Sequence, residues 1–162
     1  MPNRFEMKEK LFSLAGRYRV RDEAGQERFQ VVGKMLSVGD TLSFQDAAGT
    51  ELATIKQKML SLAPAYSIVR NGAVVAVVKQ HLINLLSLRF TVDVPGPDDL
   101  EAKGDLLGRE YVFRRHDQVV ATVSRKWFSV ADSYGVEVAD GVDEVLVLAS
   151  AVVIDRLSHQ HV

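Results

Sequence analysis

Cysteine is missing altogether from the 162-residue chain. That excludes a disulfide framework, a thiolate nucleophile and a cysteine metal site, and it fits a reducing, cytoplasmic setting. A strong charge of either sign is missing too. The formal net charge is −1, so no global field draws the protein to nucleic acid, and no groove-reading motif is present. The charges are unevenly spread, with 13 Lys/Arg and 9 Asp/Glu in residues 1–94 against 7 and 12 in residues 95–162. No apolar run reaches the roughly 20 residues that a membrane-spanning helix needs. The opening Met-Pro-Asn-Arg-Phe-Glu-Met-Lys-Glu-Lys has no apolar core, so a secretory signal is not expected. Catalytic constellations are lacking as well. No serine lies in a Gly-x-Ser-x-Gly elbow, and Gly33-Lys34 lacks the upstream glycine and the following Ser or Thr of a phosphate loop. His81, His116, His159 and His161 are scattered. Only His159-x-His161 has a metal-like spacing, and it reads as a solvated tail, so neither metal nor other cofactor is expected. Asp98-Asp99 and Asp143-Glu144 read as a solvated turn and a helix start, not as acid–base pairs.

What is present is one dense apolar stretch, Val142 to Leu157. Between Val145 and Ile154 only Ser150 is polar. With no polar stripe at either helical or strand spacing, every face must be hidden from water. The β-branched Val142, Val145, Val147, Val152, Val153 and Ile154 favour a strand. Length favours a helix: fifteen residues would run roughly 50 Å as a strand but about 22 Å as a helix. Asp140, Asp143 and Glu144 suit the positive end of a helix dipole, and Arg156 and His159 the negative end, with Asp140 or Gly141 as the cap. Burying about ten aliphatic side chains is worth roughly 15–25 kcal/mol gross, more than the propensity cost. The expected core positions of this helix are Val145, Leu146, Leu148, Ala149, Val152 and Val153.

The rest of the chain is built from a repeated unit. Lys10-Leu-Phe-Ser-Leu-Ala-Gly-Arg-Tyr-Arg-Val20 recurs at Lys58–Ile68 and at Lys126–Val136. All three copies keep Lys, Ser, Ala and Tyr in place, and Ala53-Thr-Ile55 matches Ala121-Thr-Val123 upstream. A weaker echo includes Leu86-Ser-Leu88. Ser13, Ser61 and Ser129 are therefore parts of a structural unit, and Tyr18, Tyr66 and Tyr134 read as half-buried strand residues. Hairpin signals separate the units: Asp22-Glu-Ala-Gly25, Asp46-Ala-Ala-Gly49, Asn71-Gly72 and Arg115-His-Asp117. Pro95-Gly-Pro-Asp-Asp99 is the one loop-like break, and neither half is large enough to close a core, so a single domain over residues 4–160 is expected. About twelve short antiparallel strands must form a sandwich or close. A sandwich has no room between its sheets for an apolar helix. The chain is therefore expected to be mainly β, a barrel enclosing one C-terminal hydrophobic helix, with Leu42, Phe44, Ile55, Val75, Val77 and Val123 facing inward.

These repeats resemble the LURP-one-related family, including its YxjI-like members. The residues that carry the resemblance are the three repeat units, Lys8-Glu-Lys-Leu-Phe-Ser13, Val38-Gly-Asp-Thr-Leu-Ser-Phe44, Ile55-Lys-Gln-Lys58 and Asp140 through Asp155. The resemblance covers residues 4–160 and implies a twelve-stranded barrel around a hydrophobic helix, related to the Tubby C-terminal domain and to phospholipid scramblases. It implies no enzyme activity, since the family has none agreed. Tubby binds phosphoinositide head groups through a basic surface site, but no motif here matches that site residue by residue. The cysteine-rich segment of scramblases is absent.

Basic residues beside aromatics are the best remaining site signal. Lys56 and Lys58 alternate on one strand face, and Arg125-Lys126-Trp127 joins charge to an amphipathic ring. Arg17, Arg19 and Arg21 line another face. Such groups bind lipid phosphates, and they also discourage edge-to-edge strand pairing. The expected function is a non-enzymatic binding or scaffold domain, cytoplasmic or peripheral to the membrane, whose partner is an anionic phospholipid or a protein. The alternative is a small-molecule carrier or enzyme with a pocket at the barrel rim.

Overall fold

Alternation along the strands builds the wall. Successive strand side chains point to opposite faces, so Tyr18 and Val20 turn inward while Arg17, Arg19 and Arg21 turn outward. A computed structural model describes residues 2–9, 17–34, 38–84, 87–128 and 133–159. Ser13, Ser129, Leu86 and His161 lie outside the described residues. In chain order the strands are β1 (Asn3–Glu9), β2 (Arg17–Arg21), β3 (Glu27–Gly33), β4 (Thr41–Asp46), β5 (Glu51–Gln57), β6 (Ala65–Arg70), β7 (Ala73–Asn84), β8 (Ser87–Asp93), β9 (Leu100–Asp105), β10 (Glu110–Arg115), β11 (Gln118–Ser124) and β12 (Ser133–Val138), followed by helix α1 (Glu144–His159). Each strand pairs antiparallel with its neighbour in sequence, and β1 closes on β12 from Asn3↔Val138 to Lys8↔Ser133.

The hairpins form where turn chemistry calls for them. Asp22 Oδ1 accepts from the Ala24 and Gln26 amides, and Asp46 Oδ1 does the same for Ala48 and Thr50. Asn71 and Gly72 have φ of 51° and 76°, the two positive angles of a type I′ turn. Bulges interrupt the ladder at Val20/Arg21, Phe44/Gln45, Ile68/Val69 and Phe113/Arg114, each just before a hairpin turn at the same end of the barrel. They add the twist and curvature that closure requires.

Twelve strands enclose a lumen roughly 20–25 Å across, and α1 fills it. Val147, Leu148, Ala149, Ala151, Val152 and Val153 are fully buried against Phe5, Tyr18, Leu42, Ile55, Ile68, Phe90 and Val136. Leu146, expected in the core, is only partly buried, because it lies in the first turn where the helix is entering the wall. At 16 residues the helix is roughly 24 Å long, whereas a six- or seven-residue strand tilted by about 40° rises roughly 15 Å. Its ends therefore reach past the wall and are held there. At the start the cap is Asp143, not Asp140 or Gly141: its Oδ1 accepts from the Leu146 amide at 3.2 Å. Arg70 holds the other Asp143 oxygen at 2.7 Å, and Asn3 donates to Glu144. Asp140 and Gly141 form the preceding turn, with Gly141 at φ 78°.

Two inward positions were expected one residue out of phase. On β7, Ala76 and Val78 are buried, whereas Val75 and Val77 are partly exposed. The run Ala73-Val-Val-Ala-Val-Val78 is apolar on both faces, so its phase comes from β6, through Ile68↔Ala76 and Tyr66↔Val78. His159, read as part of a tail, is the last residue of α1.

Two substitutions in the helix should act in opposite directions. Leu148→Ala should cost about 2–5 kcal/mol in denaturant unfolding, since nothing near the axis can close the cavity. Ser150 is fully buried and its hydroxyl has no partner among the described residues. Ser150→Ala should therefore be neutral or stabilising by up to about 1 kcal/mol.

Candidate binding site at one mouth of the barrel

The end of α1 is buried among polar groups. Asp155 is 5% exposed. Its Oδ2 accepts from the Tyr18 hydroxyl at 2.9 Å and its Oδ1 from Arg109 Nε at 2.8 Å. The Arg109 guanidinium lies 5.1 Å from the centre of the Tyr134 ring. The next residue, Arg156, grips Asp40 with two donors, Nε at 2.5 Å and Nη2 at 2.8 Å, and Tyr66 donates to the same carboxylate at 2.6 Å. The tyrosine of each repeat unit thus reaches this one end of the helix. All three are essentially fully buried, not half-buried as the sequence suggested.

Burial acts on the tyrosines and the arginines of this lattice. It raises the Tyr18 and Tyr134 hydroxyls well above the ordinary tyrosine range, with the negative charge of Asp155 adding to the effect. Burial and then the hydrogen bond to Asp40 push Tyr66 up to about 12. Burial works against the charge on Arg109 and Arg156, but Asp155 and Asp40 outweigh it and hold both guanidinium groups charged. The two ion pairs neutralise one another, so the lattice acts as a plug and not as an open anion site.

Around this plug lies the mouth where the helix ends, formed by the β3–β4, β5–β6, β7–β8, β9–β10 and β11–β12 connections. Lys34, Lys58, Arg109, Arg125 and Lys126 lie in these connections with Asp40, and Glu9, Asp105 and Glu110 stand at the strand ends beside them. Lys56 is exposed on the outer face of β5, and Lys58, just past its end, donates its amide to Ala65. Arg125 and Lys126 are exposed after β11. None of Lys56, Lys58, Arg125 and Lys126 has a described carboxylate within ion-pair reach. The structure does not gather the four on one wall. β5 and β11 are six strands apart in either direction, so the two pairs face each other across the same mouth. Trp127 does not stand free beside them. Its ring lies on the bare backbone of Gly135, where a Cβ would come within 2.5 Å of Cε3, and Arg4 covers it at 4.3 Å. Arg4 is in turn held by Glu137 at 2.8 Å.

A LURP-one-related family model matches residues 3–155. The chain belongs to the LURP-one-related family. An Arabidopsis thaliana protein solved by X-ray crystallography is similar, with a TM-score of 0.67 at 22% identity over 94% of this chain and 89% of that one. At that identity the likeness speaks for the fold alone. No curated protein matches the chain.

The turns at the opposite mouth of this LURP-one-related barrel are acidic, with Arg21, Arg70, Arg114 and Arg115 at the strand ends beside them. Asp22-Glu23, Asp98-Asp99, Asp117 and Asp140 lie in its turns, along with Asp143 and Glu144 at the positive end of the helix dipole. An open cleft of about 500 Å³ beside it is lined by Arg4, Asp22, Glu23, Arg28 and Glu137 among others. Its charges pair with one another, Arg4 with Glu137 and Arg28 with Asp22. Among the described residues no His, Cys, Asp and Glu group of metal-binding geometry occurs, and no helix is long and apolar enough to cross a membrane. His81 is 2.9 Å from Thr91, and the Asp99 carboxylate accepts from the Val94 amide. Sequence reasoning missed Asp40, Arg109 and Asp155. The tyrosine shared by all three repeat units was the available signal, because a hydroxyl carried inward at one strand position calls for polar company at that end of the barrel.

The tyrosine shifts fix a pH dependence. Each hydroxyl is more readily ionised in the unfolded chain, near pH 10, than in the fold. The stability they contribute is fully present below pH 10 and is lost as the pH climbs through the folded values, about 12 for Tyr66. Thermal melts should hold steady from pH 8 to 9.5 and fall steeply above 10.5. Absorbance at 295 nm should show none of the four tyrosines titrating before the fold is lost.

Proposed function

We propose that this domain is a non-enzymatic binding module that docks on anionic phospholipid surfaces with the mouth where the helix ends. The observation that carries this reading is the segregation of charge: acidic turns at one mouth, cations without carboxylate partners at the other. A bilayer bearing negative head groups attracts the basic end, repels the acidic end and so orients the barrel upright. Lys56, Lys58, Arg125 and Lys126 then lie around a ring, a spacing that suits many head groups on a plane better than one ligand in a pocket. The outward wall carries Glu6, Arg19, Lys79, Glu101 and Lys103, the reverse of the apolar band of a membrane-spanning barrel, so contact is confined to the end. Among the described residues the charged groups at the end of the helix are committed to each other, Asp155 to Arg109 and Arg156 to Asp40, which supports a binding role.

Co-sedimentation with vesicles tests it. The protein should bind phosphatidylcholine vesicles containing 30 mol% phosphatidylserine in about 50 mM salt and release them near 0.5 M salt. Lys58→Gln with Lys126→Gln should weaken binding about 30-fold, at roughly 1 kcal/mol per charge. Equal binding to neutral vesicles, or none to anionic vesicles at low salt, rejects the proposal.

A further inference from the structure

The basic mouth also carries most of the exposed aliphatic side chains. Val38 is 87% exposed, Leu60 102% and Leu62 111%, and Met59 and Leu107 are exposed beside them. These five come from three connections, β3–β4, β5–β6 and β9–β10, all of which converge on Arg156, Tyr66 and Arg109 at the end of the helix. A second observation agrees. The β6–β7 ladder stops at Ala65↔Lys79 and the β8–β9 ladder at Phe90↔Ala102, but β7 and β8 stay paired to Asn84↔Ser87. The two strands therefore continue as a two-stranded hairpin beyond their ladders with β6 and β9. Its outer edges have no ladder partner among the described residues.

We propose that these loop tips insert into the head-group and upper acyl layer of an anionic bilayer, while Lys58, Arg125 and Lys126 stay at phosphate depth. The proposal rests on the docking reading above and adds the mode of contact. Aliphatic tips ringed by unpaired cations are complementary to a negatively charged interface with hydrocarbon just beneath it. The tips stand on separate loops around an opening roughly 20 Å wide. A planar fluid accepts tips at any spacing, whereas a protein partner needs a matching pocket for each. A second copy meeting mouth to mouth would bring like charges together.

The absence of cysteine makes the test direct, since any introduced cysteine carries the only label. Leu62→Cys, and at the opposite mouth the exposed Val74→Cys, are each labelled with an environment-sensitive fluorophore and mixed with 30 mol% phosphatidylserine vesicles in low salt. The label at position 62 should shift to the blue and become shielded from an aqueous quencher, while that at position 74 should not. Leu60→Ser with Leu62→Ser should weaken vesicle binding of the unlabelled chain tenfold or more, with an unchanged melting temperature because both positions are fully exposed. Binding that persists at full strength in the serine variant, with position 62 still in water, overturns insertion and leaves docking by charge alone. Failure of the unaltered chain to bind overturns the docking reading and the insertion with it. A wild-type oligomer that the serine variant converts to monomer, with no vesicle binding, assigns the tips to self-association and also overturns the proposal.

Discussion

A ring of twelve strands is too wide for its own side chains to fill. That constraint dictates the rest of the molecule. Inward residues from opposite walls cannot meet across roughly 20 Å, so the barrel stands only if something apolar occupies its axis. The chain supplies α1, and the composition of α1 follows: a helix surrounded by wall has no solvent side, so it carries no polar stripe. Small residues such as Ala149 and Ala151 lie alongside Leu148 and Val152, which lets a straight rod fit a lumen lined by uneven rings and branched chains.

The helix is longer than the wall is high, and the surplus is used at both ends. At the start, Asp143, Arg70 and Asn3 fix the entry of the helix. At the finish, two consecutive helix residues of opposite charge each take an opposite partner from the barrel, Asp155 from the β9–β10 connection and Arg156 from the β3–β4 connection. Such buried pairs add little net stability but penalise any rotation or slip of the helix, because a displaced rod would leave two buried charges unmatched. The helix dipole and the charges nearest its ends run the same way, with Asp143 and Glu144 where the amides point out and Arg109 and Arg156 where the carbonyls do. The electrical polarity of the barrel therefore grows out of how its core is anchored.

Much of this architecture was legible in the chain. The run from Val145 to Ile154 exposes its burial through the lack of any polar period, and Asn71-Gly72 or Asp46-Ala-Ala-Gly49 identify hairpins by local chemistry alone. The phase of β7 was not legible, because valines on both faces carry no alternation and only pairing with β6 decides which of them point inward. The cap was misplaced by two or three residues, since Asp140, Gly141 and Asp143 are all suitable and tertiary contact with Arg70 selects one. The lattice around Asp155 was legible only in the tyrosine that the repeat units share, not in its charged members. A carboxylate at the end of an apolar run looks like a return to solvent, and its partners Tyr18 and Arg109 are 137 and 46 residues away. The cations of the proposed binding surface were recognised as residue types. Their arrangement across one mouth depends on strand order, and Trp127, which seemed a natural companion, is used to cover Gly135.

Native-state hydrogen exchange tests the central role of the axial helix most directly. If α1 is the element on which the barrel closes, the amides of Val147 to Val153 open only with global unfolding, sharing one free energy and one denaturant dependence with Ile68, Val78 and Phe90 of the wall. Helix amides that exchange through a lower-energy opening, while the wall stays protected, would mean that the barrel stands without its core and would contradict the account.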